Sequence, residues 1–295
     1  MNITKPIALG IGNGSLAASV CWLLRQAGIT YDPTSRAAWQ ETGNKLVAKI
    51  FMNRPQNLPT ALHTNKVDCV IIGLDMLTEW SEIDDFVVIA KVQVSKTFRK
   101  QNSKVVAFVR DGSRYTYDKR NLSECNIGSE YPKITKSWLR LNGIMASITQ
   151  SYGGTEGMVA AGVYDCGIGV TETGTSIAAN YLRTIDVIMD APVVLAVRPE
   201  DINDERLEQF AAILNGVHAA QNYVLLKMNA QKNQLPDIIS LLPALKSPTV
   251  HQLNDANSVA VETVVEKDRL ASLIIELKKE GASGIIWHTL DSVIP

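Results

Sequence analysis

Short apolar runs alternate with amphipathic stretches along most of this chain. Apolar runs at 6–11, 67–72, 86–92, 105–109, 126–128, 146–151 and 164–170, punctuated by Gly, Pro, Asn and Ser, predict strands. Helical spacing predicts helices over 15–27, 132–142, 156–161 and 177–189. Strands and helices in this alternation predict α/β layers with mostly parallel sheets. Ligands of such sheets belong at the carboxyl ends of the strands, where the loops gather. The C-terminal part has a different rhythm. A strand at 223–229 and a helix at 235–242 precede strands at 249–253 and 259–265, which the polar turn Asn254-Asp255-Ala256-Asn257-Ser258 separates. A helix at 268–280 and a strand at 284–288 complete a βαββαβ order, a ferredoxin-like unit of about 70 residues. A helix over 204–221 leads into it.

With 295 residues, the chain is long enough for about two domains. Its net charge of -1 supplies no basic field to recruit nucleic acid or a membrane surface, so an anionic ligand must be held by local geometry. The N-terminal apolar stretch resembles a signal peptide at first sight. It has no basic start, and Gly10, Gly12, Asn13 and Gly14 interrupt it, so it reads as a strand and a glycine loop. No run of 18 apolar residues predicts a membrane span. Cys21, Cys69, Cys125 and Cys166 lie far apart without a CxxC pair, as expected of buried free thiols in a cytoplasmic protein. The four histidines show no metal-ligand spacing.

Several loops carry chemistry. After the 164–170 strand comes Gly169-Val170-Thr171-Glu172-Thr173-Gly174-Thr175-Ser176-Ile177, small hydroxyl residues and a glycine opening a helix. Backbone N–H groups and the helix dipole there can cradle a phosphate. The same residues also suit a plain strand-to-helix turn with a Thr or Ser cap. Gly10-Ile11-Gly12-Asn13-Gly14-Ser15-Leu16 permits close backbone approach, although no acidic residue completes a dinucleotide fingerprint. Gly73 and Asp75 end the 67–72 strand, and Asp75 is placed to cap a helix starting at Met76. Ser95-Lys96 offers a hydroxyl and a cation after another strand, and Ser151-Tyr152-Gly153-Gly154-Thr155-Glu156 opens one more helix. Hydroxyl- and glycine-rich loops at the ends of successive strands favour a phosphate-bearing substrate.

These residues, in this order, resemble long-form ATP phosphoribosyltransferases. The resemblance rests on the Asn13-Gly14-Ser15-Leu16 loop, Arg54 with Gln56, the 68–75 stretch, Ser95-Lys96, Ser129-Glu130-Tyr131-Pro132, the 151–156 loop and the 171–176 loop followed by Asn180. Leu226-Lys227-Met228-Asn229, Pro248-Thr249-Val250 and Gly281-Ala282-Ser283-Gly284 extend it through the tail. It implies a two-lobe catalytic part of the periplasmic-binding-protein type, with lobe I at 1–100 and 185–214 and lobe II at 101–184. An ACT-like regulatory domain is expected at 215–295. The implied reaction joins N1 of the adenine of ATP to the ribose C1 of phosphoribosyl pyrophosphate, with Mg2+, at the head of histidine biosynthesis.

The resemblance also implies site roles. Glu172, Thr173, Gly174, Thr175 and Ser176 would hold the 5′-phosphate. Glu156 and Asp165 would lie near the ribose or its magnesium, and Lys96 would act with them in catalysis. Asn13, Gly14, Ser15, Arg54, Gly73 and Asp75 would meet ATP. Asn229, Thr249, Val264 and Gly284 would line a site for inhibitory histidine, and dimers assembling into hexamers are expected. The chain departs from the family pattern at Trp287-His288, where an acidic-aromatic pair is usual, and at Asn13 and Gly169, where the family favours Lys and an acid. Those losses motivate a second reading, a catalytically weakened relative that binds nucleotide or histidine as a sensor or assembly partner, or a transferase with another acceptor. A solute-binding protein shares the two-lobe expectation but has no reason to carry the βαββαβ tail.

Overall fold

A computed structural model of the chain describes residues 5–92, 103–115, 119–242 and 247–294. They divide into a unit ending at Ala211 and a second unit from Ala212 to the C-terminus. The first unit contains two sheets. The chain enters through β1 (Ile7–Gly12), α1 (Ala17–Gln26), β2 (Trp39–Glu41), β3 (Val47–Asn53), α2 (Leu58–His63), β4 (Cys69–Gly73), α3 (Leu74–Trp80) and β5 (Val87–Val92). It continues with β6 (Ser103–Arg110), β7 (Asn126–Ser129), α4 (Pro132–Asn142), β8 (Ser147–Gln150), α5 (Thr155–Ala160), β9 (Cys166–Thr171), α6 (Thr175–Ala179) and β10 (Leu182–Ala191). After Pro192 the chain returns to the first sheet as β11 (Val193–Val197), and α7 (Glu205–Ala220) follows.

The first sheet has the order β2-β3-β1-β4-β11-β5 and the second β10-β6-β9-β7-β8. β1 is parallel to β3 and β4, and β7 is parallel to β8 and β9. The remaining pairs of both sheets are antiparallel, so the sheets are mixed rather than mostly parallel. The reason lies in β10 and β11. They run back through the two sheets in succession: β10 follows only the five-residue α6, and β11 follows β10 across Pro192 alone, with no crossover helix of the kind a parallel pairing needs. The return crossing therefore falls at Pro192 and not at 185.

The helix expected over 177–189 is overturned. α6 ends after five residues, Tyr181 takes a left-handed φ of 54°, and the chain turns into β10. Thr184, Ile185, Val187 and Ile188 are β-branched, and pairing along the whole of β6 decides in favour of strand. β2, β3 and β11 have no counterpart among the expected elements. β3 alternates buried and less buried positions, while β11 is buried throughout.

In both sheets the parallel strands set the working edge. The carboxyl ends of β1, β3 and β4 share one edge of the first sheet, and those of β7, β8 and β9 share one edge of the second. The loops at 13–16, 53–54 and 73–75 are thereby gathered on one side, and those at 129–131, 151–156 and 171–176 on the other. Buried apolar residues such as Val70, Ile72, Leu77 and Val194 hold the first set, and Val105, Ile127, Trp138 and Ile168 the second.

The second unit follows the expected order as β12 (Tyr223–Gln231), α8 (Leu235–Leu241), β13 (Thr249–Gln252), β14 (Ser258–Glu266), α9 (Lys267–Lys279) and β15 (Ser283–Thr289). The sheet order β13-β14-β12-β15, antiparallel at each pairing, is that of a ferredoxin-like unit. Alternate residues of β12 and β14 (Val224, Leu226, Met228, Val259, Val261, Val265) pack against Ile238 of α8 and Leu273 and Leu277 of α9. The described residues contain no helix long and apolar enough to cross a membrane. All four cysteines are buried free thiols.

Candidate active site

The loop edges of the two sheets in the first unit meet around a cavity of about 240 Å³. Gly12, Gly14, Ser15, Gly73, Asp75 and Met76 line it from the first sheet, and Glu130, Tyr131 and Val170 from the second. Glycine is required where the wall is tight. A Cβ on Gly73 would lie 2.2 Å from Oδ1 of Asp75, and one on Gly12 would lie 3.1 Å from Pro55.

α3 and α4 join the two loop sets through polar contacts. The Tyr131 phenol donates to Oδ2 of Asp75 at 2.6 Å. Burial, and then the Asp75 charge, push the phenol far above its usual range, so it stays a donor. Glu79 accepts the backbone N–H groups of Lys133 (2.8 Å) and Ile134 (2.9 Å), two groups that the first turn of α4 leaves without an intrahelical acceptor. Burial raises the Glu79 carboxyl against the lowering effect of those amides. Lys133 Nζ reaches back to the Ser81 carbonyl at 2.5 Å and to Glu82 at 2.9 Å. Asp75 is thus not the cap of α3. It sits in the helix's first turn, because Gly73 occupies the cap position in extended conformation, and its carboxylate accepts from Tyr131.

The 171–176 loop is built as the sequence suggests. Gly174 adopts φ of 73°, which favours glycine, and its N–H donates to Thr171 Oγ1 at 2.9 Å. The hydroxyls of Thr173 and Thr175 are 2.7 Å apart, and Ser176 Oγ donates to Glu156 Oε1 at 2.9 Å. Thr173, Thr175 and Ser176 are exposed, and Glu172 and Gly174 are half-buried. Glu156, in the first turn of α5, therefore stands beside this loop.

Asp165 does not join it. Asp165 precedes β9, with its carboxylate on the Asn126 N–H at 3.0 Å, while the loop follows the far end of that strand. Six residues of strand place the two roughly 20 Å apart. Asn13 and Arg54 are exposed in the loops after β1 and β3. They do not line the cavity, whereas their neighbours Gly14, Ser15 and Pro55 do. Lys96 lies outside the described residues. Among the described residues, no three His, Cys, Asp or Glu side chains converge as a metal-binding group.

In the second unit, the alternation along β12 and β14 puts Asn229 and Val264 on the sheet face opposite the helices, and Thr249, paired with Glu262, shares that face. Gly284 has φ of 56°, and a Cβ there would lie 3.3 Å from Asn229 Nδ2. Sequence reasoning gave no role to Glu130 and Tyr131. The signal was available: they stand between the parallel strand β7 and Pro132, the first residue of α4.

A mixed-sheet α/β pair enclosing a cleft at its loop edges, followed by a ferredoxin-like unit, defines a two-lobe ligand-binding architecture with an appended small domain. A family model described as ATP phosphoribosyltransferase (HisG) matches residues 54–216, and one described as the HisG C-terminal domain matches 220–292. An ATP phosphoribosyltransferase of Pelotomaculum thermopropionicum is 33% identical over 98% of this chain and 99% of its own length. One from Chlorobium phaeobacteroides is 32% identical over 99% of both. Among solved structures, an ATP phosphoribosyl transferase (HisG:HisZ) complex from Thermotoga maritima matches at TM-score 0.58 and 23% identity, covering 71% of this chain and 96% of that one. The substrate binding protein of an amino acid ABC transporter matches at TM-score 0.50 and 11% identity, over 74% and 95%, a likeness of fold alone. The chain belongs to the ATP phosphoribosyltransferase family. It is an enzyme of the pentosyltransferase class, and its family carries out the first step of histidine biosynthesis.

Proposed function

We propose that the 171–176 loop holds the 5′-phosphate of phosphoribosyl pyrophosphate and that the cavity beside it receives ATP. The observation that carries this reading is the loop itself. A left-handed Gly174 and the hydroxyls of Thr173, Thr175 and Ser176 surround an edge that Glu156 also reaches. A new bond forms between adenine N1 and ribose C1. The C1–O bond breaks, and its electron pair leaves with pyrophosphate. This displacement needs no protein nucleophile. It needs the two substrates held in line and the charge at C1 and on pyrophosphate stabilised. Gly14, Ser15, Gly73 and Asp75 form the nucleotide side of the cleft in this reading. Asn13 and Arg54 act at its margin.

Mg2+ would be carried largely by substrate phosphates, as is usual for this ion, and would neutralise the leaving pyrophosphate. Glu156 suits it as a protein ligand. Asp165 does not, because it stands at the wrong end of β9. The tail is read as the histidine-responsive domain, with Asn229, Thr249, Val264 and Gly284 at the inhibitor site, in a cytoplasmic homo-oligomer. Calorimetric titration with phosphoribosyl pyrophosphate and Mg2+ tests the cradle. Saturable binding by the native protein and its loss in Gly174→Val are expected, and equal affinity in both contradicts the assignment.

A further inference from the structure

The cavity wall on the side of the second sheet carries a carboxylate, that of Glu130. Glu130 follows β7, and its Oε1 accepts a 3.1 Å hydrogen bond from Thr155 Oγ1. Thr155 is fully buried, and its hydroxyl also pairs with Ser151 Oγ at 2.8 Å, where the serine supplies the proton, so the partner that orients Glu130 is itself fixed. The Glu130 backbone N–H donates to the Ile168 carbonyl at 3.3 Å, which ties it to β9 just before Gly169. At Gly169 a Cβ would stand 3.8 Å from Glu130 Oε1 and 3.5 Å from the Phe108 ring, ordinary contact distances. The residue after Thr155 is Glu156, which accepts from Ser176 of the phosphate loop. Glu130 therefore lies between the phosphate loop and the open cavity, the interval that a ribose spans when its phosphate is seated in the loop.

We propose that Glu130 is the ribose-facing carboxylate of this enzyme, accepting hydrogen bonds from the ring hydroxyls and stabilising the positive charge that develops at C1. The inference rests on the phosphoribosyl-transfer reading above. In this role Glu130 acts as a hydrogen-bond acceptor and a charge, and exchanges no proton. Its charge opposes that of the ring as the C1–O bond to pyrophosphate breaks. Gly169 leaves the space beside it open. A Cβ at that position meets only ordinary contacts, but an aspartate sets a second negative charge beside the first, which disfavours both.

Steady-state kinetics of four variants test this. Glu130→Gln keeps the shape and still accepts from Thr155. Its kcat/KM for phosphoribosyl pyrophosphate is expected to fall about a hundredfold. The KM for ATP and the thermal midpoint should stay near native values. Gly169→Asp alone is expected to lower turnover. In the Glu130→Ala background the same substitution is expected to recover at least about tenfold, because it returns a carboxylate to the same place. A merely structural Glu130 offers no route to such rescue from β9. Native-like kcat/KM in Glu130→Gln, or a Glu130→Ala/Gly169→Asp protein no better than Glu130→Ala, overturns the proposal. A native enzyme that neither binds nor turns over phosphoribosyl pyrophosphate removes the underlying reading, and this inference with it.

Discussion

The Tyr131 hydroxyl lies 2.6 Å from Oδ2 of Asp75, so one buried hydrogen bond joins the loop after β7 to the first turn of α3 across the wall of the cavity. An aspartate and a phenol this buried are held together because each would lose its hydration without the other. Tyr131→Phe removes the donor and leaves the ring in place. A loss of about 1–3 kcal/mol in unfolding free energy is expected, since a buried carboxylate loses its phenol. Urea denaturation of the two proteins at neutral pH reads it, and an unchanged midpoint would show that this bond contributes nothing net.

Gly73→Ala should act on the same bond from the other side. The new methyl would meet Asp75 Oδ1 at 2.2 Å, so the carboxylate must move. Weaker ATP binding is expected with little change in secondary structure, because Gly73 has ordinary extended angles that alanine accepts. Calorimetry and far-UV circular dichroism separate the two effects.

Gly174→Val tests backbone conformation and not space. No atom lies within 4 Å of a Cβ there, yet φ is 73°. A side chain in that conformation costs about 1–2 kcal/mol, and β-branched residues are the least tolerated. The loop should relax and lose phosphoribosyl pyrophosphate affinity more than tenfold, while the protein remains folded. Retained affinity would mean that the amides of this loop do not contact the phosphate.

Acid sensitivity should trace in part to Asp204. Its bond to the Arg206 guanidinium holds the carboxyl below the usual carboxylate range, and the Arg206 N–H adds a 2.9 Å contact. A carboxyl lowered in the folded state contributes stability that is fully present above its unfolded pKa, about 3.9. That contribution fades as pH falls through the lower folded value. Asp204→Asn is therefore expected to be less stable at pH 6 but to show a flatter decline below pH 4, as measured by unfolding at each pH. Parallel curves for the two proteins would contradict the assignment.

The parts of this fold that sequence made visible are those where local pattern and tertiary context agree. α4 was bounded by Pro132 and by the Gly143 turn, and its limits coincide with expectation. The βαββαβ order of the tail was legible because its two central strands, β12 and β14, alternate cleanly between buried and less buried positions. β10 was not legible, because its ten residues carry no clean strand alternation and only pairing with β6 fixes it. The Gly174 loop could be read from residue types, since hydroxyls and glycine imply their own geometry. Asp165 took its expected role from the resemblance alone, although the strand expected over 164–170 already sets it at the end away from the loop. Tyr131 and Glu130 gain their meaning from Asp75 and Thr155, each brought close only by the fold.

The central claim is tested most directly by incubating the protein with ATP, phosphoribosyl pyrophosphate and Mg2+, and following the adenine-ribosylated nucleotide and released pyrophosphate, with and without added histidine. The account predicts stoichiometric formation of both products, suppressed by histidine. Binding of either substrate without any product would contradict it, and would instead mark the chain as a family member that has kept the cleft and lost the transfer.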